Sequence, residues 1–139
     1  MENIIRFGNT NKQFFPALRS RVDSYFKTNN ISRNANYKMV IKTIVMLSIY
    51  LVPYSLMVFN VFPFTGWQVI GLFLIMGVGM AGIGFSIMHD ANHGSYSKNP
   101  KINQMLSYTM YMLGGSPLNW QIQHNVLHHT YTNISGKDE

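Results

Sequence analysis

The sequence predicts an all-α integral membrane protein: a transmembrane helical hairpin, then interfacial and cytosolic helices that carry two histidine clusters. Three observations support this expectation. Residues 43 to 88 form 46 consecutive positions without a charged side chain. Residues 1 to 42 hold eight Lys or Arg against Glu2 and Asp23, while residues 89 to 139 balance three basic residues against three acidic ones. All five histidines of the 139-residue chain, His89, His93, His124, His128 and His129, fall in "HDANHGS" (89 to 95) and "QHNVLHHTYTN" (123 to 133).

The chain reads as three regions: a basic cytosolic arm (1 to 42), two spans (43 to 88) and a histidine region (89 to 139). In the arm, Phe15, Leu18, Val22 and Phe26 recur at helical spacing while Arg19, Arg21 and Asp23 take other faces, which predicts an amphipathic interfacial helix. A basic arm beside a long apolar stretch points to membrane orientation and anionic headgroups, and no nucleic-acid partner is expected. No small-residue cleavage pattern follows the apolar run, so no cleavable signal peptide is expected. The sequence has no cysteine, which removes disulfides, thiolate nucleophiles and cysteine zinc sites.

The uncharged stretch is too long for one crossing, and Pro63 and Gly66 punctuate it into Thr43 to Phe62 and Trp67 to Met88. Each piece is about 20 residues, enough to cross roughly 30 Å of hydrocarbon as a helix. A buried hairpin in a soluble protein would need polar surface that these residues hardly supply. Lys38 and Lys42 precede the first span and Lys98 and Lys101 follow the second, so both ends and both histidine clusters are expected on the cytoplasmic side. Pro53 is tolerable in a membrane helix, with a kink expected there.

Gly77, Gly79 and Gly82 match a dinucleotide-binding string but lack the strand-turn-helix setting and a later acidic residue, so that reading falls. Small residues at Gly77 and Ala81, and at Gly82 and Ser86, have the spacing of close helix packing. At 3.6 residues per turn, Gly79, Gly82, Ser86, His89 and His93 form one stripe, which predicts a single face that both packs and binds metal. Beyond it, Asn99 and Pro100 read as an N-cap and first helical residue and Gly114 as a stop, giving an interfacial helix of about fourteen residues. Ser116 and Pro117 start another helix, expected to end near Gly136.

His89 with His93, and His124 with His128, are spaced i,i+4, so each pair can send ring nitrogens toward one ion. His129 lies about 100° from His128 and can serve a second ion. No Glu sits between His89 and His93, so the zinc-protease mechanism lacks its base. Imidazole suits iron, copper, nickel or zinc, and spacing alone does not choose among them. Asp90 can orient a ligand imidazole, or stand as a solvated carboxylate at a helix end.

"HDANHGS" and "QHNVLHHTYTN" resemble the first and second histidine boxes of the integral-membrane fatty acid desaturases, most closely the bacterial front-end acyl desaturases, the group that includes linoleoyl-CoA desaturase. The resemblance spans roughly residues 40 to 135. It implies that His89, His93, His124, His128 and His129 are ligands of two non-haem iron ions, a diiron centre that uses O2 and two electrons to place a cis double bond in a fatty acyl chain. It further implies a fatty acyl-CoA or acyl-lipid substrate, and a separate electron donor, a ferredoxin or small haem cytochrome. Such a family member continues through two more spans to a third box, so the chain is expected to be an N-terminal fragment, inactive alone. A related membrane diiron hydroxylase and a non-catalytic membrane metal-binding protein are the competing readings.

Overall fold

The computed structural model describes residues 12 to 138, all of whose regular elements are helical. The described chain divides into two compact units, residues 12 to 33 and residues 34 to 138. The first is helix α1 (Phe14–Thr28), with no buried residue. Its C-terminal turn is closed by Asn30 in the left-handed conformation at φ 51°, and the Ile31 N–H donates to the Phe26 carbonyl at 3.0 Å. A helix covers the expected residues, with Phe15, Leu18 and Val22 exposed and Phe26 half-buried.

The second unit begins with α2 (Tyr37–Val58), which starts six residues before the expected span because the Asn36 side chain caps it, accepting from the Met39 N–H at 3.1 Å. It runs through Pro53 and stops four residues earlier than expected. The cause is Asn60, left-handed at φ 47°, which lets the Val61 N–H reach back to the Leu56 carbonyl at 3.2 Å. This is a Schellman closure with asparagine in place of the usual glycine.

Helix α3 (Gly66–Gly82) begins where Gln68 reaches back to accept from the Thr65 N–H at 2.9 Å. It continues without interruption through a π-helical turn, Ile83–Met88, into α4 (His89–Asn92). Tyr37–Val58 and Gly66–Asn92 are 22 and 27 residues long, both long and apolar enough to cross a membrane. A core helix of a soluble protein would hide its apolar surface, but Val52, Phe73, Leu74 and Val78 are exposed, and Phe85 is 86% exposed.

Glycine brings the two long helices together, at Gly82 as expected but not at Gly77. A Cβ on Gly79 would lie 2.7 Å from the Tyr50 backbone nitrogen, and one on Gly82 would strike the Met46 side chain. Gly77 has open space around it and Ala81 is exposed, so the Gly77 and Ala81 pair faces away from α2. Backbone cannot yield as a flexible side chain can, so Gly79→Ala is expected to destabilise the helix pair by about 1–3 kcal/mol. Gly77→Ala, which meets nothing, should be neutral or slightly stabilising. Thermal unfolding of the two variants in detergent checks the contrast.

The buried core lies at the far end of the second long helix. Ile83 and Ile87 are fully buried there, with Met88, Ala91, Tyr96 and Leu106 around them and Met46, Tyr50, Leu113 and Trp120 against the rim. Helix α5 (Pro100–Ser107) starts as expected, with the Asn99 side chain accepting from the Lys101 N–H at 3.0 Å. It passes through Tyr108 into α6 (Thr109–Met112). Gly114, at φ 80°, stops the pair as expected, with the Gly115 N–H donating to the Met110 carbonyl. After Ser116 come α7 (Pro117–Trp120), a second π-helical segment Gln121–His128, and α8 (His129–Tyr131). This last helix ends five residues short of the expected Gly136, because Thr132 leaves the helical region at ψ 123° and Asn133 is left-handed at φ 62°.

Candidate metal centre

The first histidine cluster sits on the last turns of the second long helix, and Gly94 sets where those turns end. At φ 68° it takes a conformation that other residues rarely adopt, and the Ser95 N–H then donates to the Asp90 carbonyl at 2.9 Å. His93 is therefore the last residue before the chain turns back. The returning strand of chain is pinned to the start of α2: the Ala35 N–H donates to the Tyr96 carbonyl at 2.9 Å, and the Thr43 and Tyr96 hydroxyls are 2.7 Å apart. Asn103 holds the same loop from the other side, accepting from the Ser97 N–H and donating to the Gly94 and Ser97 carbonyls.

The expected stripe does not persist into the cluster. Gly79 and Gly82 abut Tyr50 and Met46 of α2, whereas His89 shares a hollow of about 390 Å³ with Ala81, Gly84, Phe85, Met88, Trp120 and His124. The π turn between them accounts for the difference. Its i→i+5 bonding adds one residue to the turn and rotates everything downstream by about 100° relative to an α-helix. The imidazoles thus leave the packing face and meet the second cluster.

Four rings converge there. Donor nitrogens of His89, His93 and His124 lie within 4.8 Å of one another. The His129 ring centroid is 5.0 Å from that of His93 and 4.9 Å from that of His124. Metal-to-imidazole bonds are about 2.1 Å, so two donors on one ion stand at most about 4.2 Å apart, and less than 1 Å of closure suffices. His128 stands at the edge, stacked on His124 at 5.3 Å and edge-on to His129 at 5.7 Å. The two clusters therefore face each other.

The donor set suits a metal ion. The Nε2 of His124 is buried with no hydrogen-bond partner, a costly state for a ring nitrogen unless its lone pair has another use. Burial, followed by the neighbouring imidazoles, holds both His93 and His124 below their ordinary pKa of 6.5. Their neutral, metal-ready form is thereby favoured. Carboxylates that can only accept define two tautomers: His89 Nδ1–H donates to Asp90 at 3.1 Å, and His128 Nδ1–H donates to Asp138 at 3.0 Å. Each ring keeps Nε2 as its free lone pair.

Sequence reading missed three contributors. Asp138 also accepts from the Asn133 N–H at 2.8 Å, and this bond and the one from His128 hold its carboxyl below the usual carboxylate range. It lies ten residues after His128 and reaches the ring only because Asn133 reverses the chain, which no spacing rule shows. Trp120 stacks on His124 with centroids 4.2 Å apart, and its position four residues ahead was a legible signal. Asn92 joins the clusters: its side chain accepts from Gln121 at 2.9 Å, and its backbone carbonyl accepts from Asn125 at 3.0 Å. Partners of this kind typically change metal affinity 10–100-fold when lost, so Asp138→Asn is expected to weaken Co(II) binding within about that range. Competition against a chromogenic chelator measures it.

Two long apolar helices and a set of facing imidazoles define an all-helical, membrane-associated protein with a candidate histidine metal centre. The chain belongs to the fatty acid desaturase family, whose model matches residues 65–139. It is 38% identical over 125 residues to an sn-1 linoleoyl-lipid 6-desaturase of Arthrospira platensis, covering 90% of this chain and 33% of that protein. An sn-1 linoleoyl-lipid 6-desaturase of a Synechocystis species is 35% identical over 127 residues, 90% of this chain and 34% of that one. An acyl-lipid (8-3)-desaturase of Physcomitrium patens is 35% identical over 130 residues, 92% and 26% respectively. The chain thus spans about a third of the length of the first two relatives. No solved structure matches it.

Proposed function

We propose that this chain forms the part of a membrane acyl desaturase that carries the first two histidine boxes, and that His89, His93, His124, His128 and His129 contribute ligands to two non-haem irons. The observation that carries the reading is the convergence of donors from both clusters on one site, with an unpartnered buried nitrogen among them. Bound iron would supply an oxidant derived from O2, strong enough to remove two hydrogens from unactivated methylenes. Five imidazoles are few for two ions, so further ligands would come from outside these residues.

The chain's own part in that chemistry is positioning. Asp90 and Asp138 fix the tautomers of His89 and His128, leaving Nε2 as the ligating atom. Ala81, Gly84, Phe85 and Met88 make an apolar wall that ends at His89 and His124, suited to an alkyl segment and unattractive to water. An acyl-lipid substrate is favoured over acyl-CoA by the names of the relatives, and the electron donor would be a separate ferredoxin or small haem cytochrome. Lys38 and Lys42 at the start of the first long helix, with Lys98 and Lys101 after the second, support a cytoplasmic setting for both clusters at the mouth of a two-span hairpin.

Expression of these residues within a full-length desaturase, in a host lacking polyunsaturated lipids, with mass spectrometry of the extracted acyl chains, tests the reading. Loss of two hydrogens from a lipid-linked chain is expected. A gain of one oxygen would make the protein a hydroxylase, and an iron-loaded, electron-supplied protein that changes no acyl chain would leave a metal-binding role only.

A further inference from the structure

Helix α1 carries a feature that the metal centre does not use. At about 100° per residue, Phe14, Tyr25, Leu18, Val22, Phe15 and Phe26 fall within an arc of roughly 120°, and Arg21 and Arg19 lie about 20° beyond its two edges. Of these apolar residues all but Phe26 are exposed, Phe15 by 75%. Ser20, Ser24, Lys27 and Asp23 take the remaining face. The one acid on the helix is neutralised, because Arg33 pairs with Asp23 while its guanidinium sits 5.4 Å from the Phe26 ring. Arg19, Arg21 and Lys27 are then left as net positive charge around an apolar stripe.

We propose that α1 lies flat on an anionic bilayer, its aromatic stripe sunk at the level of the headgroups and Arg19 and Arg21 reaching outward to lipid phosphates on either side. Three facts select this occupant over a protein groove or a soluble anion. The stripe is bordered by arginine on both sides, which matches a charged plane rather than a single phosphate. Its apolar residues are mainly aromatic, and aromatic rings favour the headgroup region. Only residues 29 to 36 separate α1 in the chain from a helix fit to cross the membrane, so the surface is always within reach. The inference rests on the membrane reading of α2 and α3.

The chain lacks cysteine, so single labels are unambiguous. Leu18→Cys and Ser20→Cys, on opposite faces, are each coupled to an environment-sensitive fluorophore in the full chain. Each is reconstituted in phosphatidylcholine vesicles with or without phosphatidylglycerol. In the anionic vesicles the label at 18 is expected to shift to the blue and resist an aqueous quencher, while the label at 20 stays quenchable. Adding Arg19→Gln and Arg21→Gln should weaken the bound state by about fivefold per arginine. Equal quenching at both positions in a carbonate-resistant, vesicle-bound chain would overturn the proposal and leave the hairpin intact. Protection at 18 that ignores phosphatidylglycerol would overturn headgroup recognition. A chain extracted by alkaline carbonate would overturn the hairpin and this proposal together.

Discussion

Replacing His124 by alanine is expected to reduce Co(II) affinity by more than about a hundredfold, beyond the range of a lost outer partner. The expectation follows from its place in the site. Its ring meets all four other imidazoles: its centroid is 5.2 Å from that of His89, 5.1 Å from His93, 5.3 Å from His128 and 4.9 Å from His129. Without it the compact donor set retains only His89 and His93. His124→Phe separates ligation from packing, since a phenyl ring can keep the stack on Trp120 yet offers no lone pair. Both variants should lose the metal, whereas only alanine should also lower the thermal midpoint. His128→Ala should cost less, because that ring stands outside the compact set. Visible absorption of the cobalt-loaded chain reads all three, and retention of the wild-type spectrum by His124→Phe would remove this residue from the ligand set.

Much of this architecture was legible because it depends on local chemistry. The uncharged stretch, broken at Pro63 and Gly66, gave two long apolar helices, and Asn99, Pro100 and Gly114 bounded α5 and α6 as caps and stops do. The histidine spacing marked rings that do converge. What the residues did not show was the phase of the helix carrying them. An α-helical period assigned His89 and His93 to the glycine face, and the π turn at Ile83–Met88 turned them off it. Nothing in "IGFSIM" announces that turn, because a π segment is stabilised by the packing of Ile83 and Ile87 in the core rather than by propensity. Asn60 and Asn133 ended helices for a related reason. Asparagine tolerates the left-handed region without demanding it, so it signals a stop less clearly than Gly94 or Gly114. Asp138 was invisible for want of any local rule linking it to His128.

Asn92→Leu is expected to have the second largest effect, although Asn92 is not among the candidate ligands. The residue is buried, donates to the Met88 carbonyl at 3.0 Å and accepts from Gln121. Leucine of similar size leaves the Gln121 amide without its acceptor, at a cost of about 1–3 kcal/mol. It also removes one of the two bonds that tie the second π segment to the first cluster, leaving the bond from Asn125 to the backbone carbonyl of residue 92. Donor atoms already as much as 4.8 Å apart tolerate little further separation, so metal affinity should fall by about 10–100-fold while helix content stays unchanged. A double-mutant cycle distinguishes alignment from simple damage. If the Asn92 to Gln121 bond is what registers the clusters, Gln121→Leu alone should reproduce much of the loss, and the pair should lose far less than the sum. Additive losses would mean that the backbone bond from Asn125 to Asn92 holds the clusters together instead, and Asn125→Leu would then be the variant that separates them.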